Sequence, residues 1–140
     1  MPVQAIESQE DFTRIITSGP PIIIDFWTSW CPPCKSIAPI YESLSNLPEY
    51  SGIHFYKVEA DQHAEMAESI AEGEGGVRSI PTFILFKDGR KLREVVGPNV
   101  EGIKVSFEVG GVGWGGGGGG VGVGGVMRSR ADLVGYDYHI

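Results

Sequence analysis

Apolar residues alternate between two periods along the first hundred positions of this chain. Residues 3–6 read as a short edge strand, and Ser8 follows as a helix N-cap, with Asp11 three residues on in a variant of the capping box. Phe12, Ile15 and Ile16 give that helix one apolar face, and Gly19-Pro20-Pro21 stops it. Residues 22–28 form a nearly continuous apolar run, the pattern of a strand covered on both faces. A helix is predicted over residues 32–47, with Ile37, Ile40, Tyr41 and Leu44 at helical spacing and a kink at Pro39.

Residues 54–60 alternate into another strand, and Met66, Ala67, Ile70 and Ala71 predict a short helix that ends in the glycine-rich stretch 72–76. Residues 80–86 read as a strong strand, Lys87-Asp88-Gly89-Arg90 as a hairpin turn and residues 91–96 as the partner strand. Val100, Ile103 and Phe107 then give a closing helix, against which Gly102 and the β-branched neighbours count. Strands alternating with helices, plus one late hairpin, predict an α/β protein whose mixed sheet carries helices on both faces.

The pattern stops at residue 110. Twelve glycines fall within residues 110–125, which leaves few side chains to bury and a large entropy cost of ordering. Residues 1–109 are therefore expected to form one domain, and residues 110–140 a disordered low-complexity tail. Charge divides the same way. The first 109 residues hold 9 Lys and Arg against 16 Asp and Glu, and the tail is neutral. An acidic domain disfavours nucleic acid and anionic membrane as partners. No segment approaches the roughly 18 apolar residues of a membrane span. The start has neither a basic nor an apolar leader region, so a cytoplasmic protein is expected.

The only cysteines, Cys31 and Cys34, are three positions apart in Trp30-Cys31-Pro32-Pro33-Cys34-Lys35, where the apolar strand gives way to a helix. Two thiols at that spacing can make and break a disulfide, so the chain reads as a dithiol redox protein. A metal centre would need further ligands. No other cysteine exists, and His54, His63 and His139 lack ligand spacing.

A thiol attacks only as thiolate, and near its ordinary pKa of 8.5 only about 3% is ionised at pH 7. At a helix N-cap, Cys31 would gain from the dipole and from free backbone N–H groups. Pro32 and Pro33 offer no N–H, so the Cys34 amide is the nearest donor, and these two prolines should tune the loop. Cys31 is expected to be exposed and to attack, and Cys34 to be buried and to resolve the mixed disulfide. Asp25, mid-strand among apolar neighbours, should have a raised pKa suited to moving the Cys34 proton, with Lys57 on the facing strand as its partner.

Residues 25–35, with Pro39, Lys57, Asp61, Ile80-Pro81-Thr82-Phe83, Phe86-Lys87-Asp88-Gly89 and Gly97, resemble the thioredoxin family, most of all its fungal cytosolic members. The resemblance spans residues 1–109. It implies a five-stranded mixed sheet flanked by four helices and protein-disulfide reduction by thiol–disulfide exchange. It also implies client proteins bearing disulfides, recycling by an NADPH-dependent thioredoxin reductase, no cofactor of the chain's own and a monomer. By similarity Cys31 is the nucleophile, Cys34 the resolving thiol, and Asp25 and Lys57 assist proton transfer. Pro81 would be a cis-proline, and Trp30, Ile80, Pro81 and Gly97 would line an apolar substrate groove. Three departures stand out: Pro32 where the family usually has Gly, a loop at 72–76 about four residues longer, and the glycine tail. A different class of function would be a redox-sensitive binding module, in which the state of the cysteine pair gates partner docking with little turnover.

Overall fold

The computed structural model describes residues 3–69 and 79–109. Five strands form one sheet in the order β1-β3-β2-β4-β5. The strands are β1 (Gln4–Ala5), β2 (Ile22–Trp27), β3 (His54–Glu59), β4 (Thr82–Lys87) and β5 (Arg90–Val96). The helices are α1 (Gln9–Ile16), α2 (Pro32–Ser45), α3 (Ala64–Ser69) and α4 (Val100–Val109). β2 runs parallel to β3 and antiparallel to β4, so the sheet is mixed and β2 is its centre. This is the α/β architecture the sequence predicts.

Alternation along the central strands sorts the core into two layers. Ile23, Phe55, Phe83, Leu85 and Val95 pack beneath Ile37, Tyr41 and Leu44 of α2 and Ile103 and Phe107 of α4. Ile22, Ile24, Phe26, Val58, Ile84 and Phe86 face Phe12 and Ile15 of α1 and Met66 and Ala67 of α3. Asp25 has the parity of Ile23, which puts it on the α2 side of the sheet.

Local chemistry accounts for most element ends. Ser8 Oγ accepts the Asp11 amide at 3.0 Å, whereas the Asp11 carboxylate turns to Arg14 at 2.8 Å and leaves the capping box half-made. α2 runs unbroken through Pro39 but stops at Ser45, two residues short of expectation. Leu47 precedes Pro48 and is pushed to an extended conformation, after which Pro48–Tyr50 makes a single 3-10 turn that periodicity did not predict. β4 starts at Thr82 because Pro81 has no N–H to give the ladder. β1 shrinks to two residues.

Asp88 and Gly89 both have positive φ, at 53° and 80°, as a tight Asp-Gly hairpin requires. Gly102, which counted against α4, is explained by its cap. Its amide donates to Asn99 Oδ1 at 2.9 Å, and a Cβ there would stand 2.5 Å from the Asn99 side chain. The expected helical residues Ile70 and Ala71, the 72–76 loop and the 110–140 tail lie outside the described residues.

Candidate active site

β2 delivers the chain to the cysteines. Beyond Trp27, Thr28 is buried and its carbonyl accepts the Cys31 amide at 3.4 Å. Ser29 donates its amide to Glu59 Oε2 at 3.2 Å, and the same carboxylate accepts the Gln62 amide at 2.9 Å. Trp30, 53% exposed, donates its indole N–H to Asp61 Oδ2 at 2.7 Å. The loop is thus tied to the end of β3 by two carboxylates. Sequence reasoning assigned no role to either. Position was one signal, since Glu59 ends the strand that pairs with β2 and Asp61 follows it by two residues, and for Asp61 the family resemblance was a second.

Cys31 is the N-cap of α2, in extended conformation, and Pro32 and Pro33 fill the first two helical positions. With no N–H on either proline, the Cys34 amide is the donor that reaches Cys31 Sγ, at 3.2 Å. Cys31 and Cys34 form a disulfide across a Cα separation of 5.3 Å. Ile80-Pro81 is cis, and the Ile80 carbonyl oxygen stands 3.9 Å from Cys31 Sγ. Pro81 in turn accepts the Gly97 amide at 2.8 Å, which holds the β5 exit against the cis-proline. Trp30 and half-buried Ile80 reach the surface beside the disulfide, while Pro81 and Gly97 are buried.

One expectation is corrected. Cys31 is fully buried, with 0% of its surface exposed, against 2% for Cys34. In the disulfide its sulfur turns inward to the Cys34 amide and the Ile80 carbonyl, so the exposed group at the lip is Trp30.

On the α2 side of the sheet, Asp25 is in register with Lys57 of β3 and Phe83 of β4. It is 4% exposed, and its Oδ1 has no hydrogen-bond partner among the described residues. Burial pushes its carboxyl up to about 8, and the Lys57 charge only partly offsets that. The expected Asp25–Lys57 pairing is one of register and field rather than contact. No ion pair joins them among the described residues, and the Lys57 ammonium lies 5.9 Å from the Trp27 ring centroid.

Tyr41, buried in the apolar stripe of α2, adds a feature that periodicity hid. Its hydroxyl is 2.8 Å from the Tyr56 carbonyl and 3.1 Å from that of Ile23, so it bridges β3 and β2 near Asp25. Burial first, then Asp25, raises its pKa well above the ordinary value. A tyrosine in a core stripe needs a partner for its hydroxyl, and that requirement was the available clue.

A thioredoxin family model matches residues 3–107. The chain belongs to the thioredoxin family. It is 39% identical over 95 residues to thioredoxin of Malassezia sympodialis, covering 68% of this chain and 86% of the relative. Thioredoxin-1 of Schizosaccharomyces pombe is 37% identical over 106 residues, covering 76% and 96%. The crystal structure of Malassezia sympodialis thioredoxin (Mala s 13) superposes with a TM-score of 0.70 at 34% identity, over 77% of this chain and 92% of that one.

Thioredoxin membership and the Cys31–Cys34 disulfide make the chain a dithiol–disulfide oxidoreductase, a protein-disulfide reductase acting on disulfide-containing substrates. The binding-module alternative is not favoured. Among the described residues no helix is long and apolar enough to cross a membrane, and no group of three His, Cys, Asp or Glu could hold a metal.

Proposed function

We propose that Cys31 is the attacking thiol and Cys34 the resolving one. The Cys31 thiolate attacks a client disulfide, whose S–S bond breaks as the mixed disulfide forms and one client sulfur leaves as thiolate. Cys34 then loses its proton and attacks Cys31 Sγ, which closes the Cys31–Cys34 disulfide and releases the second client sulfur. The observation that carries this order is the Cys34 amide on Cys31 Sγ at the helix N-cap. It favours negative charge on Cys31, and no such donor is directed at Cys34 Sγ among the described residues.

Asp25 is the group that takes the Cys34 proton and returns it in the reverse reaction. With a pKa of about 8 it is about one-tenth ionised at pH 7, which leaves both forms populated. Lys57 sets that balance through its charge. Trp30, Ile80, Pro81 and Gly97 line the surface that receives client backbone, and Pro32 and Pro33 set the stiffness and donor count of the loop. An NADPH-dependent thioredoxin reductase recycles the disulfide, and the protein works as a cytoplasmic monomer. Residues 1–109 form the redox domain and residues 110–140 a tail.

Reduction of insulin disulfides, driven by NADPH and a thioredoxin reductase, tests the assignment. Cys31→Ser abolishes turnover, and Cys34→Ser accumulates a mixed disulfide between Cys31 and insulin. Trapping by Cys31→Ser instead would reverse the two roles. Residues 1–109 alone match the full chain in this assay if the tail takes no part.

A further inference from the structure

Trp30 and Asp61 present an arrangement that the exchange chemistry does not use. The indole is 53% exposed, directly before Cys31, and no ring of the described residues stacks on it. Its N–H is held by Asp61 Oδ2 at 2.7 Å, while Asp61 itself is exposed and its Oδ1 has no partner among the described residues. A carboxylate on an indole N–H feeds negative charge towards the ring, whose faces already attract cations. A planar cation stacked on that face would find the second carboxylate oxygen at its edge. Those are the two interactions a guanidinium makes best, stacking on an aromatic face and hydrogen bonding to a carboxylate. The net charge of residues 1–109 has the sign that attracts such a cation, with 16 acidic side chains against 9 basic ones.

We infer that Trp30 and Asp61 form a guanidinium-binding platform that selects client disulfides flanked by arginine. The inference deepens the proposed function and rests on Cys31 as the attacking thiol, because Trp30 directly precedes Cys31 and so stands beside a client held there as a mixed disulfide. Trp30 supplies the stacking face. Asp61 both fixes that face and supplies the charge. Lys35, the exposed cation past Cys34, lies on the other side of the pair in the chain and gives no reason to prefer arginine.

Three disulfide peptides, identical except for Arg, Gln or Glu beside the cystine, test this. The pre-reduced full chain, freed of reductant, is mixed with each in single turnover at low salt, and oxidised protein is counted after acid quench and alkylation. The Arg peptide is expected to react roughly threefold to thirtyfold faster than the Gln peptide, and the Glu peptide slowest. Salt at about 0.5 M compresses the series.

Asp61→Asn keeps an acceptor for the indole N–H but removes the charge, and the Arg-to-Gln ratio should fall at least about twofold. If all three peptides react within about twofold of one another, the platform is refuted and the assignment of Cys31 stands. A preference for the Glu peptide, or an unchanged ratio in Asp61→Asn, refutes it as well. If none of the three oxidises the protein, the proposed function fails and takes this inference with it.

Discussion

Replacing Asp25 with Asn should stabilise the oxidised protein by an amount that depends on pH. In the folded chain the Asp25 carboxyl is held at about 8 by burial, against an ordinary 3.8. Below about pH 4 the group is neutral in both folded and unfolded chains and contributes nothing to pH dependence. Between about pH 4 and pH 8 the folded chain keeps a proton that the unfolded chain has lost. The Asp25 contribution to wild-type stability therefore falls as pH rises, by up to ~1.4 kcal/mol per pH unit, and levels off above pH 8. The span from 3.8 to about 8 corresponds to roughly 6 kcal/mol at the alkaline end. At pH 7 the cost is about 4 kcal/mol, a large share of the stability of an ordinary domain.

Asn cannot ionise, so Asp25→Asn escapes this cost and keeps only a pH-independent penalty for burying an amide. Urea unfolding of both oxidised proteins, followed by far-UV circular dichroism at pH 4, 6, 7, 8 and 9, reads the difference. The gap between their midpoints should widen steadily from pH 4 to pH 8, reaching about 2 M urea at pH 7. A gap that stays flat across that range, or widens towards acid, would refute the reasoning.

Lys57→Met removes the charge that draws Asp25 downwards, so the Asp25 titration, read from its carboxyl carbon by NMR, moves to higher pH. Tyr41→Phe deletes the hydroxyl that bridges β2 and β3 and should cost about 1–2 kcal/mol in urea unfolding. Pro32→Ala restores an N–H in the first turn of α2, so alkylation of Cys31 by iodoacetamide should reach half its maximal rate at a lower pH. An unchanged alkylation profile would mean that the Cys34 amide alone sets the thiolate.

The order of elements was legible because β2, β4, α1 and α2 each carry an apolar pattern of one period. The Asp88-Gly89 hairpin was legible because its backbone demands those residue types. The reactive pair and the buried carboxyl could be read from spacing and from one charged residue inside an apolar run. What escaped was tertiary. The burial of Cys31 depends on the Ile80 carbonyl, 49 residues away in the chain. The hold on Trp30 depends on Asp61, 31 residues away, and nothing local marks either partner. Lys57 was placed correctly in register, but its ammonium rests over Trp27, because register fixes the Cα and not the end of a long side chain.

The sealed position of Cys31 bears on how electrons are routed through a cell. A sulfur without exposed surface is insulated from the small thiols that diffuse past it in large excess. The exposed group beside it is Trp30, so a macromolecule that grips the indole has a hold next to the disulfide that a colliding small thiol lacks. The oxidised protein then behaves like a shielded contact in a circuit, holding its oxidation state until the matching plug is seated.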